Sequence, residues 1–198
     1  NPPPVTGPGR HLHVLAADQP HAPRARGPVL MPRRRLLLRG ACALGLAAAG
    51  SGHALEPAGQ PVVLTLSGQL RSPNDGALAH FDMPMLERLP QTTFSTRTPW
   101  YAQARQFTGP LLRDVLRAAG AHGTVLRARA LNDYRVDIPF DDAQRFDLIV
   151  ARLLDGTPMP VRDKGPLFAV YPFDAQPDLR NAIYYSRSAW QLRSIEVR

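Results

Sequence analysis

After position 42 the chain contains no cysteine. Residues 55–198 therefore offer no disulfide, no thiolate nucleophile and no cysteine ligand for a metal. Histidine is almost as scarce there. His80 and His122 are the only two, and neither has an Asp, Glu or His neighbour at metal-ligand spacing. No G-x-S-x-G, P-loop or G-x-G-x-x-G segment occurs, which removes the common nucleophile elbow and the phosphate-cradling loops. Lysine is nearly absent as well: Lys164 is the only one, so arginine carries the positive charge. Nothing in these residues announces an enzyme.

What is present falls into three parts. Residues 1–30 are rich in proline, lack apolar periodicity and do not begin with Met. They read as an unstructured leader, or as upstream sequence translated from an early start codon. Residues 31–54 read as an export signal. Met31 is followed by Arg33, Arg34 and Arg35, then by an apolar stretch from Leu36 to Ala49 broken by Arg39 and Gly40. Small residues follow at Gly50, Ser51 and Gly52, and cleavage is expected near Ala54. The apolar stretch, which holds the single cysteine Cys42, is too short to span a bilayer; an uncleaved anchor is the competing reading. Arg34-Arg35 suits the twin-arginine route and the general secretion route alike. The domain so released, residues 55–198, is expected in the periplasm and is long enough for one core.

The basic excess belongs to the leader. Of the 24 basic and 16 acidic residues, seven basic and one acidic precede position 55. That leaves 17 basic and 15 acidic, a net charge of +2 against +8 for the whole chain. So balanced a domain gives no reason to expect nucleic acid as a partner.

Within 55–198 the pattern is mostly that of strands. Residues 61–67 alternate, 71–76 form a turn-rich loop, 83–89 fit a short helix, and 91–95 are β-prone. The clearest helix spans 110–119, with Thr108 or Gly109 as its cap, Pro110 in its first turn and Gly120 at its exit. Leu126, Ala128 and Ala130 alternate with arginines, and Tyr134, Val136 and Ile138 alternate with Arg135 and Asp137. That predicts a hairpin turning at Asn132-Asp133, with opposite charges facing each other on its wet side. Asp141 or Asp142 would cap a helical turn ending at Arg145. Residues 148–154, 167–173 and 191–197 complete the strands. The fold class expected is α+β: mixed, mainly β, with few short helices.

Four segments, in this order, resemble a known family. Phe107-Thr108-Gly109-Pro110-Leu111-Leu112-Arg113-Asp114-Val115-Leu116 resembles the "W-x-G-x-x-L-x-D-x-L" helix entry of the sulfite-oxidase-type, molybdopterin-binding domain fold. Ala130 to Tyr134, followed by Ile138-Pro139, resembles its "DGY…lp" hairpin. Asp155 to Pro160, then Gly165-Pro166-Leu167, resembles its "nG.pL…hG.PlR" stretch, and Trp190 to Val197 its "vKWl..I.v" closing strand. Molybdenum enzymes of that fold bind the metal through a cysteine thiolate. The corresponding loop here, Thr92 to Trp100, holds only hydroxyls, and Ser95 is a poor ligand for a high-valent metal. The chain is thus closer to the small exported proteins of this fold that bind pterin without metal. In these the segments "T-x-T-P-W" and "R-S-x-W-Q-L" recur, here as Thr96 to Trp100 and Arg187 to Leu192.

The resemblance implies a non-catalytic pterin-binding protein. Its ligand would be a tetrahydropterin or a molybdopterin-like molecule. Its partner would be the periplasmic domain of a membrane diguanylate cyclase or phosphodiesterase, to which it relays pterin availability. A pterin is a flat polar bicycle that needs an aromatic face and a few directed polar groups. Trp190 is the expected stacking platform and Trp100 a second wall, unless either simply packs the core. Arg187 and Arg97 flank them as candidates for an anionic or carbonyl group, unless they are solvated surface arginines. Thr98 would offer its hydroxyl, unless it only sets an extended backbone before Pro99, and Asp133 its carboxylate, unless it simply closes the hairpin turn, with Arg162 and Tyr171 carried by the resemblance alone. Two other readings stay open: a periplasmic molybdopterin-dependent oxidoreductase with a non-cysteine ligand, and an interaction module that binds no small molecule.

Overall fold

The structure, a computed structural model, describes residues 54–198. The leader expected over 1–30 and the export signal expected over 31–54, Cys42 included, lie outside the described residues except for Ala54. No helix among the described residues is long and apolar enough to cross a membrane.

In chain order the elements are β1 (Val62–Gly68), β2 (Ala79–Asp82), α1 (Met83–Arg88), β3 (Gln91–Thr96), β4 (Arg105–Pro110) and α2 (Leu112–Ala118). A hairpin of β5 (Val125–Ala130) and β6 (Arg135–Pro139) leads into α3 (Phe140–Arg145). Then come β7 (Ile149–Ala151), β8 (Leu153–Leu154), β9 (Thr157–Pro158), β10 (Phe168–Val170), α4 (Ala182–Arg187) and β11 (Leu192–Val197). Two single-turn 3-10 segments, Val161–Asp163 and Pro177–Leu179, sit on either side of β10. The described residues thus form a mixed α+β domain in which strands dominate.

Three sheets share one core. The largest runs β2-β1-β11-β5-β6, with β1 and β11 parallel and the other neighbours antiparallel. A second runs β3-β4-β8-β9, and β10 pairs with β7. The hairpin follows from its alternation: Leu126, Ala128 and Ala130 are buried, while Arg127 faces Asp137 in register. The Arg127 guanidinium donates to both Asp137 oxygens, at 2.7 and 2.8 Å, a fork matched to a carboxylate. Helix α2 buries Leu112, Val115 and Leu116 and stops at Gly120, whose φ of +62° suits a residue without Cβ. Truncating Leu116, which is 1% exposed, to alanine would cost about 2–5 kcal/mol by cavity formation.

Four local expectations differ from what is observed. Helix α2 begins two residues later than predicted, with Leu111 at its cap and no side-chain cap bond. Thr108, Gly109 and Pro110 belong instead to β4. There a Cβ on Gly109 would lie 2.0 Å from the Val150 carbonyl oxygen, so the glycine permits two backbones to approach. Neither Asp141 nor Asp142 caps α3; Pro139 occupies that position without a side-chain bond, and Asp142 is buried. Residues 148–154 do not make one strand. They divide at Arg152 into β7 and β8, which pair into different sheets. Finally, β2 and α4 are additional elements, and α4 buries none of its residues, so no apolar periodicity marks it.

Candidate functional site

The two motifs of hydroxyl, proline and tryptophan residues lie far apart in sequence and meet in space. Residues following β3 bring in Pro99 and Trp100, and residues between α4 and β11 bring in Ser188 and Trp190. A bridge between Phe168 and Trp190 holds the second segment beside β10. The indoles of Trp100 and Trp190 meet edge to face, with ring centroids 5.4 Å apart. Phe168 lies against both, at 5.4 Å from Trp100 and 6.3 Å from Trp190, and Tyr185 stands 6.2 Å from Trp100. Such contacts are worth roughly 0.5–1.5 kcal/mol per aromatic pair beyond the area they bury. They fix both indoles in orientation.

Beside them is a cavity of about 420 Å³. Its walls are Pro99 and Trp100, Asn132 and Tyr134 of the hairpin tip, Ala182, Tyr185 and Ser186 of α4, and then Ser188 and Trp190. Both indoles are half-buried, so the core does not consume them. The polar groups are few and neutral. Asn132 accepts from the Tyr134 backbone N–H at 3.1 Å, which leaves its amide N–H groups to point elsewhere. The Tyr134 hydroxyl donates to the Ser186 carbonyl at 2.7 Å, and the Ser186 and Ser188 hydroxyls donate to helical carbonyls. Lone pairs on those hydroxyls remain able to accept. Apolar walls with a few uncharged directing groups suit a flat, neutral, hydrogen-bonding ring. The lining has no carboxylate, imidazole or thiol, so it supplies neither an acid–base pair nor a thiolate for molybdenum. Among the described residues, no three His, Cys, Asp or Glu side chains gather as a metal site.

The remaining expected residues are distributed as follows. Thr98, two positions before Trp100, is 8% exposed, and its buried hydroxyl has no hydrogen-bond partner. Arg187 lies between two lining residues, but its guanidinium donates to Asp142 at 2.9 Å and covers the Tyr184 ring at 5.2 Å. Tyr171 is in the core, and its hydroxyl donates to Asp142 at 2.8 Å. Burial above all, then the Asp142 charge, pushes that phenol far above its usual range. Asp133 is at the hairpin tip with a left-handed φ of 65°. Its carboxylate accepts from Arg129 Nε at 2.9 Å, and that bond above all lowers its pKa. Arg97 is exposed, its backbone N–H donating to the Asp174 carboxylate at 3.1 Å. Arg162 is exposed and lines a separate cavity of about 430 Å³ with Tyr101, Arg105 and Lys164.

Of the eight residues, then, Trp100 and Trp190 line the cavity and Thr98 adjoins its lining segment. Arg187, Tyr171, Asp133, Arg97 and Arg162 are engaged elsewhere or face solvent. The hairpin contributes Asn132 and Tyr134 rather than Asp133, because the left-handed tip turns Asp133 toward Arg129. Both were inside the hairpin motif that the sequence displays. Ser188 belongs to the "R-S-x-W-Q-L" segment but was not singled out, and Tyr185 and Ser186 carried no signal beyond standing next to it. No protein-family model matches this chain, and no curated protein matches it significantly.

Proposed function

We propose that residues 55–198 are an exported, sulfite-oxidase-type domain that binds a reduced pterin without molybdenum and performs no chemistry on it. The observation that carries this reading is that Trp100 and Trp190, from two separate motifs, wall one cavity. The neutral lining supports it further, since a pterin presents an amide-like edge and a π face rather than a charge. The occupied protein then reports to the periplasmic domain of a membrane enzyme that makes or degrades cyclic di-GMP.

The test is titration of the purified domain with tetrahydropterin, followed through tryptophan emission. Saturable quenching is expected, and Trp190→Ala and Trp100→Ala should each weaken binding. Stacking on an aromatic is worth roughly 1–3 kcal/mol, or about 5- to 150-fold in affinity. If neither substitution alters the titration, the site is misplaced. The partner step is tested by capture of the membrane enzyme's periplasmic domain with and without tetrahydropterin.

A further inference from the structure

Arg187 stands between Ser186 and Ser188, both of which line the cavity, yet its own side chain leaves for the Asp142 carboxylate. Asp142 Oδ2 accepts Arg187 Nη1 at 2.9 Å and the Tyr171 hydroxyl at 2.8 Å. A buried carboxylate is costly to keep unless it is paired and hydrogen-bonded. Asp142 is not excused by a capping duty, since α3 starts without one. The groups that satisfy it are a phenol fixed in the core and the cation that ends α4. One carboxylate oxygen therefore ties the core to the cavity wall.

That tie adds to the aromatic contacts that hold α4, which are Tyr184 against Phe146 and Tyr171, and Tyr185 against Phe173 and Trp100. None of its residues is buried. Its last turn is secured by the Tyr134 hydroxyl on the Ser186 carbonyl and by Arg187 on Asp142. Tyr185, which packs against Phe173 at 4.9 Å and faces Trp100, is two positions before Arg187. A shift of Arg187 would carry Ser186 and Ser188 with it along the backbone. We infer that Asp142 is a positioning residue: through Arg187 it sets the wall made by Tyr185, Ser186 and Ser188, and thereby the fit of the ligand. The affinity consequence rests on the pterin-binding reading; the placement of the wall does not.

Two measurements separate these. Tryptophan 100 and tryptophan 190 are the only indoles in the chain, and both line the cavity, so acrylamide quenching of ligand-free protein reports the wall directly. Tetrahydropterin affinity is the second measurement. Asp142→Asn and Arg187→Gln should each raise acrylamide quenching and weaken affinity about tenfold, and the double variant should be no worse than either single one. Leu116→Ala, a core truncation away from the wall, should lower the melting temperature while leaving quenching and affinity as in the parent. An Arg187 that touched ligand directly would lose affinity on substitution with no change in quenching. Unchanged quenching in Arg187→Gln, or additive losses in the double variant, would overturn the inference. If either single variant does not fold, the double variant Asp142→Asn/Arg187→Gln, which leaves no unpaired buried charge, carries the test, and its unchanged quenching would equally overturn the inference. If the parent takes up no tetrahydropterin, the functional reading falls, and the quenching comparison still decides this one.

Discussion

The Trp100 and Trp190 indoles cross at 70°, so the edge of one ring meets the face of the other 5.4 Å away. Two rings in that arrangement cannot both lie flat against one planar guest. The Lys164 ammonium lies 5.8 Å from the Trp190 ring, adding a fixed cation to that indole's surroundings. The proposed pterin, if bound there, would stack on one indole and meet the edge of the other.

This asymmetry can be read in solution. Trp190→Phe leaves Trp100 as the sole indole, and Trp100→Phe leaves Trp190. Phenylalanine keeps an aromatic contact with Phe168 in either variant, so both should fold. The expected outcome is that tetrahydropterin quenches one of the two single-indole proteins strongly and the other weakly. Equal quenching in both would contradict stacking on a single platform.

Thr98 makes an opposite-signed pair of effects testable. Its hydroxyl is buried without a partner, and valine has nearly the same shape. Removing an unsatisfied buried hydroxyl should stabilise the ligand-free protein by about 1 kcal/mol. If the proposed ligand reaches that hydroxyl, the same Thr98→Val change weakens tetrahydropterin binding. Denaturant midpoints with and without ligand measure both. A variant that is more stable and binds as tightly as the parent would show that the hydroxyl has no part in recognition.

Gly109 is a position where one methyl group decides the fold. A Cβ there would lie 2.0 Å from the Val150 oxygen and 2.8 Å from the Ala151 Cα, both backbone atoms that no rotamer can move. Overpacking of this kind costs roughly 1–3 kcal/mol, and more where backbone must shift. Gly109→Ala should therefore unfold at clearly lower denaturant than the parent, whereas Gly156→Ala, with open space around it, should lose only what its left-handed φ of 77° imposes.

How far residues alone reveal this molecule depends on whether their partners are local. The β5–β6 hairpin and α2 were legible because alternation and helical periodicity decide which side is buried. Gly109 was misread as a helix entry because its reason for being glycine is a carbonyl from β7. Asp142 was misread as a cap because an acid at the start of a helix usually is one, while its real partners, Tyr171 and Arg187, come from distant segments. Helix α4 was invisible because nothing on it is buried. The two tryptophans were legible through the motifs around them. Asn132 and Tyr134 were not singled out, since a one-residue choice at a hairpin tip depends on which residue takes the left-handed conformation.

Acid should destabilise the domain through Asp82. Its burial works to raise the pKa, but the backbone N–H groups of Met85, Gln60 and Gly59 outweigh it, and the net direction is down. Those groups donate at 2.8, 2.9 and 2.8 Å, and they pin the chain before β1 to the start of α1. Hydrogen bonding to Arg129 first, in Asp133, and to Arg127 first, in Asp137, lowers those carboxyls in the same direction. A carboxyl with a lowered folded pKa binds its proton less readily folded than unfolded. Its contribution is complete above the ordinary Asp value of about 4, and it is lost as pH falls through the lowered value. The melting temperature should accordingly stay level near neutral pH and fall steeply below about pH 4. Asp82→Asn keeps a capping oxygen on Met85 but has no proton to gain. That variant should start less stable at neutral pH and lose less between pH 5 and pH 3, about the span of the carboxyl titration. Parallel acid limbs for parent and variant would mean that Asp82 keeps an ordinary pKa in the folded protein.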